Sequence, residues 1–119
     1  MTTETILTTT VHGEPSGNYD GSSQDWFSDA VPAANYYRGR GGLQTVLIQT
    51  TEFEGTIVIE ATLDSLTDTA TWFSTYEYSS GSSPRTDIHP ANILGNFVWL
   101  RARVEDFAAG TINSITVSY

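Results

Sequence analysis

Residues 95–119 read Gly-Asn-Phe-Val-Trp-Leu-Arg-Ala-Arg-Val-Glu-Asp-Phe-Ala-Ala-Gly-Thr-Ile-Asn-Ser-Ile-Thr-Val-Ser-Tyr. Over residues 97–104 the side chains alternate, with Val98, Leu100, Ala102 and Val104 on one face and Phe97, Trp99, Arg101 and Arg103 on the other. This is a strand with one plain core face and one face of aromatics and arginines. Residues 105–110 supply polar and small residues around Phe107 and predict a turn, after which Ile115, Val117 and Tyr119 resume the period of two. Ile112 is out of phase with them, which predicts a β-bulge near Asn113 and Ser114.

Further back, residues 43–50 predict a strand, 51–55 a short turn, and 56–63 a second strand with Ile57, Ile59, Ala61 and Leu63 toward the core and Val58, Glu60 and Thr62 away from it. Residues 64–71 form a polar connection. Residues 72–79 predict an aromatic strand whose faces are Trp72, Ser74, Tyr76, Tyr78 and Phe73, Thr75, Glu77. Residues 80–94 contain Gly81-Ser82-Ser83-Pro84 and His89-Pro90 and predict a long loop with a brief helical turn at 90–94. In the first third, 5–11 predict a strand or arm, 12–25 an irregular loop, and Arg38-Gly39-Arg40-Gly41-Gly42 a turn before the strand at 43–50. Five strands plus one or two weaker ones, with no amphipathic helix between them, predict a single antiparallel β-sandwich of jelly-roll-like order. A length of 119 residues suits one domain, 1–119, with 1–34 as an N-terminal strand or arm and a long aromatic-containing loop.

Composition excludes several chemistries. Fourteen acids against five arginines and no lysine give a net charge of -9, which argues against a nucleic-acid partner. No stretch has the length of a membrane span, and the first residues lack both a basic leader and a signal-peptide apolar run. The expectation is a protein made in a cytoplasm, with no membrane partner. Without cysteine there is neither a disulfide framework nor a thiolate metal site. The glycines at 39–42 fail the G-x-G-x-x-G spacing because Gln44 takes the last position.

There is no G-x-S-x-G nucleophile elbow, and His12 and His89 are the only histidines. Asp87-Ile88-His89 reads as loop hydrogen bonding rather than a catalytic dyad. Glu60 and Glu77 on neighbouring strands have a structural use, pairing across strands with Arg101 and Arg103 at about 0.2–1 kcal/mol per pair. Asp20, Asp25, Asp64 and Asp68 lack the D-x-D-x-D-G pattern of a calcium loop. The expectation is therefore a non-enzyme with no cofactor and no metal. What remains distinctive is a set of interface or ligand candidates: Trp26, Phe27, Tyr36, Tyr37, Trp72, Tyr76, Phe97, Trp99, Arg101 and Arg103, of the residue types enriched at interface centres. Trp26 and Phe27 have a competing use, folding back to plug one end of the sheet layers.

Four blocks also carry a family resemblance: Phe53-Glu54-Gly55-Thr56-Ile57-Val58-Ile59-Glu60-Ala61-Thr62-Leu63; Trp72-Phe73; Gly95-Asn96-Phe97-Val98-Trp99-Leu100-Arg101-Ala102; and Gly110-Thr111-Ile112-Asn113-Ser114-Ile115. In this order they resemble a module in structural proteins of tailed phages, notably T4-like phages of marine cyanobacteria. The resemblance covers roughly residues 35–119 and departs at Arg38-Gly39-Arg40-Gly41-Gly42, where a plainer glycine-aspartate turn is expected. It implies a noncatalytic virion component, in head decoration, neck, tail or fibre, whose partners are other virion proteins and further copies of itself. The alternative is a carbohydrate-binding module for host-surface recognition, with Trp26, Trp72, Tyr76 or Trp99 stacking on a glycan. A hydrolase is the third and weakest reading.

Overall fold

Two segments rich in β-branched residues build the frame, β5 (Leu43–Thr62) and β8 (Trp99–Ser118), each 20 residues long. The computed structural model describes residues 2–36 and 42–119. The remaining strands are β1 (Thr3–Leu7), β2 (Thr10–Val11), β3 (Trp26–Phe27), β4 (Val31–Pro32), β6 (Phe73–Ser79) and β7 (Arg85–Leu94). All belong to one antiparallel sheet, and no helix occurs among the described residues. The expected turn at 38–42 lies outside the described residues except for Gly42.

β5 and β8 pair antiparallel from Thr45↔Ser118 to Thr62↔Trp99, and each is flanked by different neighbours along its two halves. In the first half, β7 lines β5 at residues 43–53 while β1 and β2 line β8 at 111–118. In the second half, β6 lines β5 at 56–61 while β3 and β4 line β8 at 99–104. Val46 and Ile48 of the first half share one buried cluster with Ile57, Ile59 and Ala61 of the second, so the sheet is folded over a common core. Leu100, Ala102 and Val104 enter it from β8, as their alternation predicts, and full burial of each larger aliphatic chain contributes about 1.5–3 kcal/mol.

The fold-over occurs where the sequence predicts turns. At 51–55 and 105–110 the chain bends without reversing, and each strand keeps the same partner on both sides of the bend. The turn residues supply the bend: Glu52 (φ 50°) and Gly55 (φ 152°) on β5, Asp106 (φ 52°) and Gly110 (φ 87°) on β8. The register slips between Thr51, Glu54 and Thr56, so these are bulges in a paired ladder rather than hairpin ends. Phe53 and Phe107, both fully buried with ring centroids 5.7 Å apart, fill the inside of the corner. The further bulge expected near Asn113 is present, since Gln49 pairs with Ser114 and Thr50 with Ile112, leaving Asn113 unmatched.

Three expectations are corrected. Residues 80–94 are not one long loop, because 85–94 form β7, whose register against β5 runs unbroken past Pro90↔Leu47. β7 pairs on one side only, and an edge strand tolerates a proline whose missing N–H would face away from its neighbour. Leu63 is not core but 63% exposed, because β5 ends at Thr62. Residues 26–27 and 31–32, read as loop, form short strands on the otherwise open edge of β8.

The folded halves are clasped between β6 and β7. Tyr78, fully buried, hydrogen-bonds Thr50 at 2.7 Å, and Arg85 lies 4.1 Å over its ring. Burial pushes the Tyr78 phenol above its ordinary value of 10.0. The fold thus favours the protonated phenol, so this stability is fully present below the ordinary value and lost as pH rises through the raised one. Alkaline titration followed by circular dichroism is expected to show unfolding above that value, and Tyr78→Phe to flatten the dependence while losing about 1 kcal/mol at neutral pH.

At the corner, a Cβ on Gly110 would lie 2.1 Å from the Glu52 carbonyl oxygen, whereas a Cβ on Gly13, also at positive φ, would meet nothing. Gly110→Ala is expected to lower the unfolding free energy in urea by at least about 3 kcal/mol and Gly13→Ala by only about 1 kcal/mol. Equal effects would show that the close approach at the corner is unimportant.

Candidate functional site

The two outer faces of the folded sheet differ in chemistry. On the second half, Glu60 of β5 stands directly opposite Arg101 of β8 and diagonal to Arg103. Its side chain is 5% exposed, and its two carboxylate oxygens accept from Arg101 Nε at 2.8 Å and from an Arg103 terminal nitrogen at 2.7 Å. Arg103 Nε also comes within 3.3 Å of Glu105, close enough for an ion pair but not aligned as a hydrogen bond. Of the expected pairing of Glu60 and Glu77 with Arg101 and Arg103, the Glu60 part is present, and Glu60 takes both arginines. Glu77 instead sits opposite Val58 and is exposed.

Rings cover this ionic centre. Arg101 lies 4.2 Å from the ring centroids of both Phe27 and Trp72, held between two aromatic faces. The period of two along β3 explains the placement: Trp26 opposes Val104 and turns into the core, while Phe27 opposes Arg103 and turns outward. Phe27 stays 44% exposed. Trp26 is buried against Tyr19 and Phe107, so of the two rings expected to plug the sheet, only Trp26 does so.

Of the other candidates, Trp99, Tyr36 and Phe97 lie near the start of β8. Trp99 is half-buried, donates its indole N–H to the Ser65 carbonyl at 3.1 Å, and meets Tyr36 edge-on at 4.9 Å. Phe97 packs on the core cluster, against Phe73 and directly over Gly95, where a Cβ would come within 2.2 Å of the ring. Tyr37 lies outside the described residues. Tyr76 is separate from the arginine centre, on β6, where its hydroxyl bonds His89 Nε2. The structure therefore brings Phe27, Trp72, Arg101 and Arg103 together around Glu60, sets Trp99 and Tyr36 beside each other, and sends Trp26 inward.

Sequence reasoning did not find the cluster around His89. Because 85–94 is a strand, Arg85, Asp87 and His89 share its inner side and face Tyr76 and Tyr78 of β6. Asp87 accepts from Arg85 at 2.9 Å and lies 3.6 Å from His89 Nδ1. Both imidazole nitrogens thus face groups of the chain itself. The spacing of Arg85, Asp87 and His89 at i, i+2 and i+4 was the available signal, masked by Pro84 and Pro90.

Three loop acids accept backbone N–H groups. Asp20 accepts the backbone N–H groups of Ser22 and Ser23, which pulls its carboxyl down to about 2. Asp64 accepts the Thr71 N–H at 2.6 Å and Asp25 the Asp106 N–H at 3.0 Å. No grouping of three or more metal-ligating side chains occurs among the described residues. Comparison of the chain with protein-family models, with curated proteins and with solved structures finds no match.

Removing Glu60 leaves two partly buried guanidinium groups facing each other. Glu60→Ala is expected to cost about 3 kcal/mol of stability, and Arg103→Ala only about 1 kcal/mol because its side chain retains solvent contact. Urea midpoints of the two variants provide the check. A Glu60→Ala protein as stable as wild type would reduce the ionic centre to surface decoration.

Proposed function

We propose that this chain is a noncatalytic structural protein of a tailed-phage virion, and that its folded-over sheet is a jelly-roll-like β-sandwich acting through contacts with other virion proteins. The observation that carries the reading is where the four resembling blocks fall. Residues 53–63 span the corner and the second half of β5, 72–73 open β6, 95–102 enter β8, and 110–115 leave its corner. The blocks thus coincide with the paired central strands and with the Glu60–Arg101 centre of this chain. The first third, where the resemblance has no counterpart, supplies β1–β4 on the outer edge of β8. On this reading those strands specify where this copy docks.

The chemistry of the outer face supports an assembly role over glycan binding. Sugar stacking uses an open aromatic face. Here Trp26 is buried, Trp72 carries Arg101 over its ring, and Trp99 is bonded to Ser65 and flanked by Tyr36. Phe27 is the most open of these rings and lies over a guanidinium. Stiff, partly exposed aromatics and arginines are the residue types that carry binding energy at protein interfaces.

Mass spectrometry of gradient-purified virions grown from a phage genome encoding this sequence is expected to find the chain in multiple copies per particle. Its absence from purified particles, together with specific hits on a glycan array, would overturn the proposal in favour of the carbohydrate-binding alternative.

A further inference from the structure

The outer face of the first half is the chemical opposite of the Glu60 face. It is formed by alternate positions 3–5 of β1, 114–118 of β8, 43–51 of β5 and 86–94 of β7. None of these positions carries a charge, in a chain with 14 acids and a net charge of -9. Along β5 and β7 aliphatic rungs alternate with polar ones: Leu43 opposes Leu94 and Leu47 opposes Pro90, the Thr45–Asn92 pair lies between them, and Ile88 stands opposite Gln49. Leu94, Ile88 and Leu43 are 79%, 68% and 57% exposed.

Three pairs of polar side chains on the face bond one another. Thr45 donates to Asn92 at 2.7 Å, Gln49 donates to Ser114 at 3.2 Å, and Thr3 shares a hydrogen bond with Ser118 at 3.0 Å. Such pairs lose little on leaving water, because the cost of burying a polar group arises when it is left without a partner. A shallow hollow of about 530 Å³ bordered by Gln49, Thr51, Ile88 and Asn113 lies at one end of the face. The hollow also touches Asp87, whose carboxylate is paired with Arg85.

We propose that this face is a homodimer interface, on which a second copy of the chain packs sheet to sheet. Two copies each carrying -9 repel wherever their acids meet, and this face brings no carboxylates together. Fifteen outward positions, two on β1, three on β8 and five each on β5 and β7, each covering about 4.8 Å by 6.8 Å, give about 500 Å² per copy, or about 1,000 Å² in all, the threshold for a biological interface. An isologous pairing puts the central rung, Leu47 beside Thr116, near the two-fold axis. Edge-to-edge pairing through β7 is disfavoured, since Pro90 interrupts the donors of that edge. The dimer does not depend on the virion reading.

The test is sedimentation equilibrium of the full chain up to roughly 100 µM, the range in which a micromolar dimer is populated. Wild type is expected to dimerise, with association unchanged or strengthened by added salt as the overall repulsion is screened. Thr116→Arg, which lowers the net negative charge yet opposes two cations at the centre, is expected to weaken dimerisation at least about tenfold. Glu77→Gln, with the same change in net charge on the other face, is expected to leave it intact. Should Thr116→Arg unfold, Thr116→Cys and Leu47→Cys in this cysteine-free chain give a second readout, a disulfide-linked dimer on mild oxidation. A monomeric wild type, a dimer undisturbed by Thr116→Arg, or a wild-type dimer that neither cysteine crosslinks would each overturn the proposal. A dimer absent from virions would overturn the virion reading alone, and a monomer present in them the dimer alone.

Discussion

The structure depends on two long strands bending together. β5 and β8 remain hydrogen-bonded partners on both sides of a corner, and the bend is possible because Gly110 lets its backbone approach the Glu52 carbonyl more closely than any side chain would allow. Once the corner is set, the first halves of the strands present one inner face and the second halves another, and Phe53 and Phe107 close the space between them. The same two strands therefore supply both sides of the core. Every smaller strand attaches to one of them, so none of β1–β4, β6 or β7 has a place without the bent pair.

From that geometry follows the division of labour between the outer faces. A charge in the second half has a partner because Glu60 and Arg101 are opposed across the ladder and the connection after β5 brings Trp72 over them. In the first half the corresponding positions are Thr, Ser, Gln, Asn and aliphatic residues, which bond laterally within the face. One face is ionic and covered by aromatic rings; the other is uncharged.

Much of this was legible in the residues. Period-two alternation gave the core faces of β5 and β8, the phase slip at Ile112 gave the bulge at Asn113, and the opposed signs of Glu60, Arg101 and Arg103 gave their pairing. The bends were legible as chemistry but not as topology. Glycines and acids at 51–55 and 105–110 signal positive φ, and a bulged bend uses the same residues as a hairpin turn; only the partner strand distinguishes them. β7 was hidden because Pro90, and Pro84 just before it, carry no information about which side of a strand is free. Trp26 and Phe27 were recognised as needing cover, but two residues are too few to show which ring turns inward until Val104 and Arg103 are known to lie opposite them. Within the site, the arginines were found because charge is local information. The His89 cluster was missed because it is assembled from two strands that meet only after the sheet folds over.

The position of β8 in the chain has a consequence for how the molecule comes into being. β8 pairs with β1, β2, β3, β4 and β5, all of which leave the ribosome before it. Thr3 meets Ser118, so that pairing closes a loop of more than a hundred residues. Until β8 is synthesised, β5 has only β6 and β7 beside it and exposes the edge that β8 will occupy. The sheet must therefore be completed after translation of its last strand, slowly, as non-local topologies fold. During that interval Val46, Ile48, Ile57 and Ile59 lack the cover of β8, so exposure to aggregation is set by strand order rather than by final stability.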